Sequence, residues 1–321
     1  MGAPRIGLAL VIVIAACGGT TTTPSPATST TTPATSAATT ASAPLPSPSG
    51  PNRAEERKVT IDGTERVYSL YVPPTVDRSR PAPLVIFLHG SGITAARTER
   101  DTELSLAAER ERFVAAYPQA LNGWNYGCCN AAFNQKIDDL ALLRQILQRT
   151  MAETSIDPDR IYLAGVSAGA TLAYRVVCEA PELFAAIGTI SGGGPLVTCA
   201  PKADLSLIEI HGTKDELSPY GGCSPATIPC GNAALTLPAV EPMVARLREL
   251  FGCPAPIVER AAPVTTTKAS PCRGGTEVTL MTIEGGAHLT PIATATGGTQ
   301  ASADVPVLLK FLLAHRRPAA R

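Results

Sequence analysis

From about residue 56 onward, apolar and polar positions follow two distinct rhythms. RVYSLYV (66–72) alternates residue by residue, the period of a strand with one face buried. PLVIFL (83–88) is apolar throughout, as a strand covered on both faces must be. RFVAAYP (112–118), RIYLAG (160–165), FAAIGTIS (184–191), LSLIEIHG (205–212) and EVTLMTIEG (277–285) read as further strands. Between and after them, DDLALLRQILQRTM (138–151), AGATLAYRVVCEA (168–180), VEPMVARLRELFG (240–252) and VPVLLKFLLAHRR (305–317) carry the three- and four-residue spacing of helices. Asp138 and Asp139 suit the first turn of the 138–151 helix, where amides lack acceptors and the dipole end is positive. Strand and helix alternate without an internal repeat. The pattern predicts an α/β fold: a doubly wound, mostly parallel sheet with helices on both faces and no large cap domain. Its ligands should lie beyond the C-terminal ends of the strands.

The first 55 residues follow neither rhythm. Arg5 precedes the apolar run Ile6–Ala16, too short to cross a bilayer and proportioned like a signal-peptide core. Ile14-Ala15-Ala16-Cys17 resembles a bacterial lipobox, which makes residues 1–16 a lipoprotein signal peptide and Cys17 the lipidated residue. Residues 17–55 are rich in Thr, Ser, Pro and Ala, and residues 18–52 carry no charge. Such a segment cannot bury enough apolar surface to offset its ordering entropy, so it reads as a disordered tether. The expectation is an exported lipoprotein held to a membrane surface through Cys17, with a folded domain at 56–317.

Charge removes one class of partner. With 27 basic and 27 acidic residues, nothing in the balance favours nucleic acid. Export changes how the nine cysteines read. Setting Cys17 aside, eight remain (Cys128, Cys129, Cys178, Cys199, Cys223, Cys230, Cys253 and Cys272), an even number suited to disulfides in an oxidising compartment. Cys128 and Cys129 are adjacent, and a bridge between neighbours is strained, so each is expected to reach elsewhere. No metal or organic cofactor is expected.

GVSAG (165–169) is weak evidence alone in a chain with 27 glycines. Its position strengthens it. Ser167 directly follows the strand ending at 164 and precedes a helix that opens Ala-Gly-Ala, the context of a nucleophile elbow. A serine nucleophile needs a base, and the chain has four histidines. His89 and His211 each end an apolar strand as a His-Gly pair and read as structural. His315 sits among arginines at a helix C-terminus. His288, in the glycine loop after strand 277–283, is the best base. The orienting carboxylate should lie between serine and histidine, and Asp215 does, with Glu216 the fallback. The glycines of FLHGSG (87–92) would let backbone amides converge on an oxyanion, with Ala168 and Ser91 or its neighbour as donors.

LHGSG, WNYGCCN followed by DDLALL, IYLAGVSAGA, IEIHGTKDELSPYGG, the Gly252-Cys253 pair and IEGGAHLTP together resemble the α/β-hydrolase group of polyhydroxybutyrate depolymerases and feruloyl or acetylxylan esterases (carbohydrate esterase family 1), in its lipid-anchored bacterial form. The resemblance spans most of 58–315. It implies Ser167, Asp215 and His288 as the triad. It also implies Cys178 and Cys199 as partners of Cys128 and Cys129, and a Cys253–Cys272 bridge, while Cys223–Cys230 would close a small loop after the acid. Two positions depart from the group: Thr290 stands where a tryptophan is usual, and Asn125-Tyr126-Gly127 where Asn-Ala-Gly is common. Both lie near the substrate entrance, so Trp124, Tyr126 and Thr290 are the candidate substrate contacts.

The expected function is a serine esterase acting on short acyl, feruloyl, acetyl-sugar or hydroxyalkanoate esters through an acyl-enzyme on Ser167, as a monomer. The alternatives are a peptidase of the same fold and an envelope binding lipoprotein that keeps the scaffold without turnover.

Overall fold

A computed structural model describes residues 53–77, 79–194, 199–288 and 304–318. The signal peptide, nearly all of the tether including Cys17, and Thr290 lie outside the described residues. The elements in chain order are β1 (Glu55–Ile61), β2 (Thr64–Tyr71), β3 (Ala82–Leu88), α1 (Ala95–Thr102), α2 (Leu104–Glu111), β4 (Val114–Pro118), α3 (Ala131–Asn134) and α4 (Asp139–Glu153). They continue with β5 (Ile156–Val166), α5 (Ala168–Glu179), β6 (Ala186–Ile190), β7 (Ser206–Gly212), α6 (Val240–Leu250), β8 (Ile257–Ala261), β9 (Val264–Ala269), β10 (Val278–Ile283) and α7 (Asp304–Ala314).

One ten-stranded sheet runs in the order β1-β2-β4-β3-β5-β6-β7-β10-β9-β8. From β4 to β10 every neighbour is parallel, and antiparallel pairs close both edges. The apolar run of β3 now has its reason. Leu84, Ile86 and Leu88 enter one core and Val85 and Phe87 the other. In β5, Ile161 and Leu163 divide from Tyr162 and Ala164 in the same way. Helices α4, α5 and α6 cover the first face, through residues such as Leu143, Leu172 and Met243. Helices α1, α2 and α7 cover the second, through Ala95, Leu104 and Leu308. This is the mostly parallel, doubly wound α/β sheet that the alternation predicts.

Two details differ from the expectation. The fold begins ahead of residue 56: β1 opens at Glu55, and the amides of Arg53 and Ala54 donate to Glu99 Oε1 at 2.8 and 2.9 Å. The cysteine pairing also changes. Cys128 bonds to its neighbour Cys129, and Cys178 bonds to Cys199 instead of either taking one of that pair. Cys129 has a φ of 64°, and this left-handed turn lets adjacent sulfurs meet. Cys178, near the end of α5, already has Cys199 with its Cα 5.1 Å away. The Cys223–Cys230 and Cys253–Cys272 bridges are present.

A buried ion pair braces the loops above the sheet. Arg66 in β2 reaches Asp139, at the start of α4, at 2.6 Å, and Asp139 also accepts from the Asn125 amide at 2.6 Å. Burial pushes the Asp139 carboxyl upward, opposed by the charge and hydrogen bond of Arg66. Removing one partner of such a pair leaves a buried charge uncompensated, at a cost of about 3–5 kcal/mol.

Candidate active site

Ser167 is the single residue between β5 and α5, and its backbone lies at φ 55°, ψ −120°. A non-glycine residue in that region is strained by roughly 1–3 kcal/mol and persists only where its surroundings hold it. Here the Ser167 amide donates to Ile190 O in β6 and its carbonyl accepts from the Thr171 amide, each at 2.9 Å. The turn also needs Gly169. A Cβ there would collide with the carbonyl oxygen of Leu88 and lie 2.7 Å from that of His89. The loop after β3 therefore rests directly on the first turn of α5.

Asp215 follows β7 and His288 follows β10, and those strands are parallel neighbours. Their loops are laced together. Thr213 N donates to Ile283 O and Lys214 N to Gly286 O, both at 2.9 Å, and Gly285 N donates to Thr213 Oγ1 at 2.9 Å. Gly212 permits this approach, because a Cβ there would meet the carbonyl of Gly286. Adjacent parallel strands thus deliver the carboxylate and the imidazole side by side.

The three side chains form one hydrogen-bonded line. His288 Nε2 lies 2.9 Å from Ser167 Oγ, and His288 Nδ1 lies 2.9 and 2.8 Å from Asp215 Oδ1 and Oδ2. A carboxylate only accepts, so Nδ1–H donates to Asp215 and Nε2 accepts from the serine hydroxyl. The Asp215 side chain is fully buried, and Oδ1 also accepts from the amides of Leu217 (3.0 Å) and Ser218 (2.7 Å). Burial alone would raise its pKa. Hydrogen bonds from His211 and His288, the His288 charge and the Ser218 amide outweigh it and hold the carboxyl well below the usual range.

Ala168 is the first residue of α5, so its amide has no acceptor within the helix and faces the positive end of the dipole. Gly90 lies beside the nucleophile: a Cβ on it would sit 3.5 Å from Ser167 Cβ. This places the loop holding Ser91 next to the elbow.

Two of the candidate substrate contacts must be reassigned. Trp124 is 1% exposed and offers no stacking surface. Its Nε1–H donates to the His89 carbonyl at 2.8 Å, and its ring packs on the imidazole with centroids 4.8 Å apart. Tyr126 is also buried, and its hydroxyl accepts from Asn232 Nδ2 at 2.8 Å. Both side chains are held inside by hydrogen bonds to the loops they support. His89 takes the structural role read from the sequence. Its Nδ1–H donates to Gly90 O at 2.8 Å and its Nε2 accepts from Ala120 N at 3.1 Å, a neutral tautomer whose pKa burial lowers.

His211 is buried beside the acid. It lies against Asp215, with Nε2 at 3.4 Å from Oδ2, and against Glu209, with Nδ1 at 2.7 Å from Oε1. The signal for both was a charged residue inside the apolar run LSLIEIHG, two positions before a histidine.

The parallel sheet, the strained serine turn after a central strand, and the serine–histidine–carboxylate line give the chain the fold and site layout of an α/β-hydrolase. More narrowly, residues 66–210 match the family model described as Esterase PHB depolymerase, and the chain carries that domain. Among curated proteins it is 28% identical over 317 residues to the putative esterase NocK of Nocardia uniformis subsp. tsuyamanensis, covering 92% of this chain and 90% of that one. It is 26% identical over 223 residues to feruloyl esterase B of Piromyces equi, covering 65% of this chain and 40% of that relative's length. Among solved structures, acetyl xylan esterase from Aspergillus awamori shares the fold at a TM-score of 0.56 and 17% identity, over 76% of this chain and 97% of that one.

Proposed function

We propose that the protein is a serine esterase that works through an acyl-enzyme on Ser167. The observation that carries this reading is the continuous line from Ser167 Oγ through His288 to Asp215, with each step at 2.8–2.9 Å. His288 Nε2 takes the hydroxyl proton as Oγ attacks the ester carbonyl carbon. The resulting oxyanion is held by the amides of Ala168 and Ser91. Collapse breaks the ester bond, and the alcohol leaves with the proton from His288. Water then attacks the acyl-enzyme with His288 again as base, releasing the acid and restoring Ser167. Asp215 fixes the imidazole tautomer and stabilises its charged form throughout.

The substrate is a carboxylic ester with a short acyl chain, of the hydroxyalkanoate or acetyl- and feruloyl-sugar kind named for the relatives. With Trp124 and Tyr126 buried, Leu217 and Ile228 take their place as candidate contacts. They are 52% and 62% exposed, on the loop that begins beside Asp215. Four disulfides accord with an oxidising, extracellular setting. The Ile14–Cys17 motif supports attachment there through a lipidated Cys17.

Ser167→Ala is expected to lower kcat for a short p-nitrophenyl ester by on the order of 10⁵- to 10⁶-fold while leaving the circular dichroism spectrum unchanged. It should also abolish labelling by a fluorophosphonate. Undiminished turnover would sink the assignment. An unlabelled wild-type enzyme that binds glycans tightly would favour a binding lipoprotein.

A further inference from the structure

Behind the Ser167–His288–Asp215 line lies a second buried ionisable pair that the reaction above leaves unused. Glu209 and His211 are two residues apart in β7, so they project from the same face of the strand. They are 0% and 1% exposed. His211 Nε2 lies 2.8 Å from the Ser218 carbonyl, which can only accept, so Nε2 carries a hydrogen. Nδ1 lies 2.7 Å from Glu209 Oε1. Other donors also converge on this carboxyl: Tyr174 OH reaches Oε2 at 3.1 Å and Gly192 N points to Oε1 at 3.3 Å. Donors directed at both oxygens are the surroundings of an ionised carboxylate, so Nδ1 carries a hydrogen as well.

Ser218 links this pair to the acid. Its carbonyl accepts from His211 and its amide donates to Asp215 Oδ1 at 2.7 Å. The titratable groups facing His211 come from every packed element. They are Tyr174 of α5, Glu209 on β7 itself, Asp215 with His288 beyond it, and Tyr220. The Tyr220 ring meets the imidazole edge-on at 5.8 Å between centroids, and its hydroxyl is tied to Thr282 of β10 and Glu241 of α6. The formal charges in this set, apart from the two imidazoles, are carboxylates.

Resting on the triad reading above, we propose that His211 is a positioning residue. It is an imidazolium clamped between Glu209 and Asp215 that keeps the acid ionised and in the one orientation that serves His288. Burial opposes its charge more than any other single influence. Hydrogen bonds to Asp215 and Glu209 and their charges still win, and the His211 pKa is pushed up to about 10. The consequence for catalysis is electrostatic. When His288 takes the serine proton, Asp215 must remain a carboxylate, and a fixed cation behind it disfavours proton transfer onward to the acid.

The test reads protonation and turnover separately. In histidine-¹⁵N-labelled enzyme, both ring nitrogens of His211 are expected to be protonated from pH 5 to about 8.5 with no titration. Glu209→Gln, which keeps the shape and removes the charge, should bring the His211 titration into the range of about pH 6–9. That variant should gain an alkaline decline in kcat over the same range. His211→Gln should lower kcat by roughly 10- to 100-fold, less than the ~10⁴ of mispositioning the triad histidine, with KM within about threefold. A neutral His211 at pH 7 overturns the proposal. So does a Glu209→Gln enzyme that superposes on wild type in both readouts, or unchanged kcat in a folded His211→Gln enzyme. Because the NMR measurement needs no turnover and can be made on Ser167→Ala, failure of the triad reading would leave this result readable.

Discussion

Trp124 shows how a residue well away from the reacting atoms sets their geometry. Its indole N–H holds the His89 carbonyl, and His89 is the first residue of the loop that carries Ser91 past the nucleophile. Trp124→Phe keeps the ring but strands that buried carbonyl. It should cost about 1–3 kcal/mol of stability in a denaturant melt and lower kcat more than it raises KM. A KM-only effect would return Trp124 to the role of a substrate contact. At this scale the chemical residues were legible because each stands where an apolar run stops, and the structure brings Ser167, His288 and Asp215 together. The burial of Trp124 and Tyr126 was not legible, because a short aromatic loop reads the same whether its rings face solvent or pack beneath a neighbouring loop. The partners of His211 were not legible for a related reason: Glu209 points the same way only once β7 is formed.

Among the elements, the β5–turn–α5 unit carries the site, and its demands are steric. Gly169→Ala puts a Cβ 2.7 Å from the His89 oxygen, a backbone atom that cannot rotate away. The elbow and the oxyanion loop would have to separate. The expected result is a loss of roughly 1–3 kcal/mol in thermal unfolding and a kcat reduced about 100-fold or more. An alanine variant with wild-type kcat would show that the close approach does not matter to the reaction. The central strands and the helices that pack on them were readable because burial on one or both faces writes a period into the chain. The edge hairpin was not. Every residue of β8 is exposed and β9 is largely half-exposed, so neither strand records a buried face. Polar α1, AARTERDT, escaped for the same reason: it is held by packing of few residues, among them Ala95 and Thr98.

For the whole molecule, buried charges make stability depend on pH from both sides. Glu277 is buried, which raises its pKa, but hydrogen bonds with His315, Lys268 and Thr279 outweigh this and hold it at about 2. Asp215 is likewise depressed. Their contributions are complete above the unfolded carboxylate range near ~4 and are lost as pH falls from there through the depressed folded values. His89 adds to the acid side. Its lowered pKa keeps it neutral when folded, so stability falls once the unfolded histidine protonates below ~6.5. His211 works in the opposite direction. Raised to about 10, its contribution is complete below ~6.5 and is lost as pH climbs from there to about 10. Calorimetric Tm between pH 3 and 10 should therefore peak at roughly pH 5–7, and Glu209→Gln should flatten the alkaline side. A wild-type Tm that stays level from pH 7 to 10 would contradict a charged His211. By itself the sequence determined the α/β layering and the order of the chemical residues along the chain, because burial periodicity and Gly-bounded strand ends are local properties. Tertiary structure alone decided which groups face one another. Contacts such as His211 with Asp215, Trp124 with His89, or Cys128 with Cys129 depend on side-chain direction and loop closure, which a one-dimensional pattern does not encode.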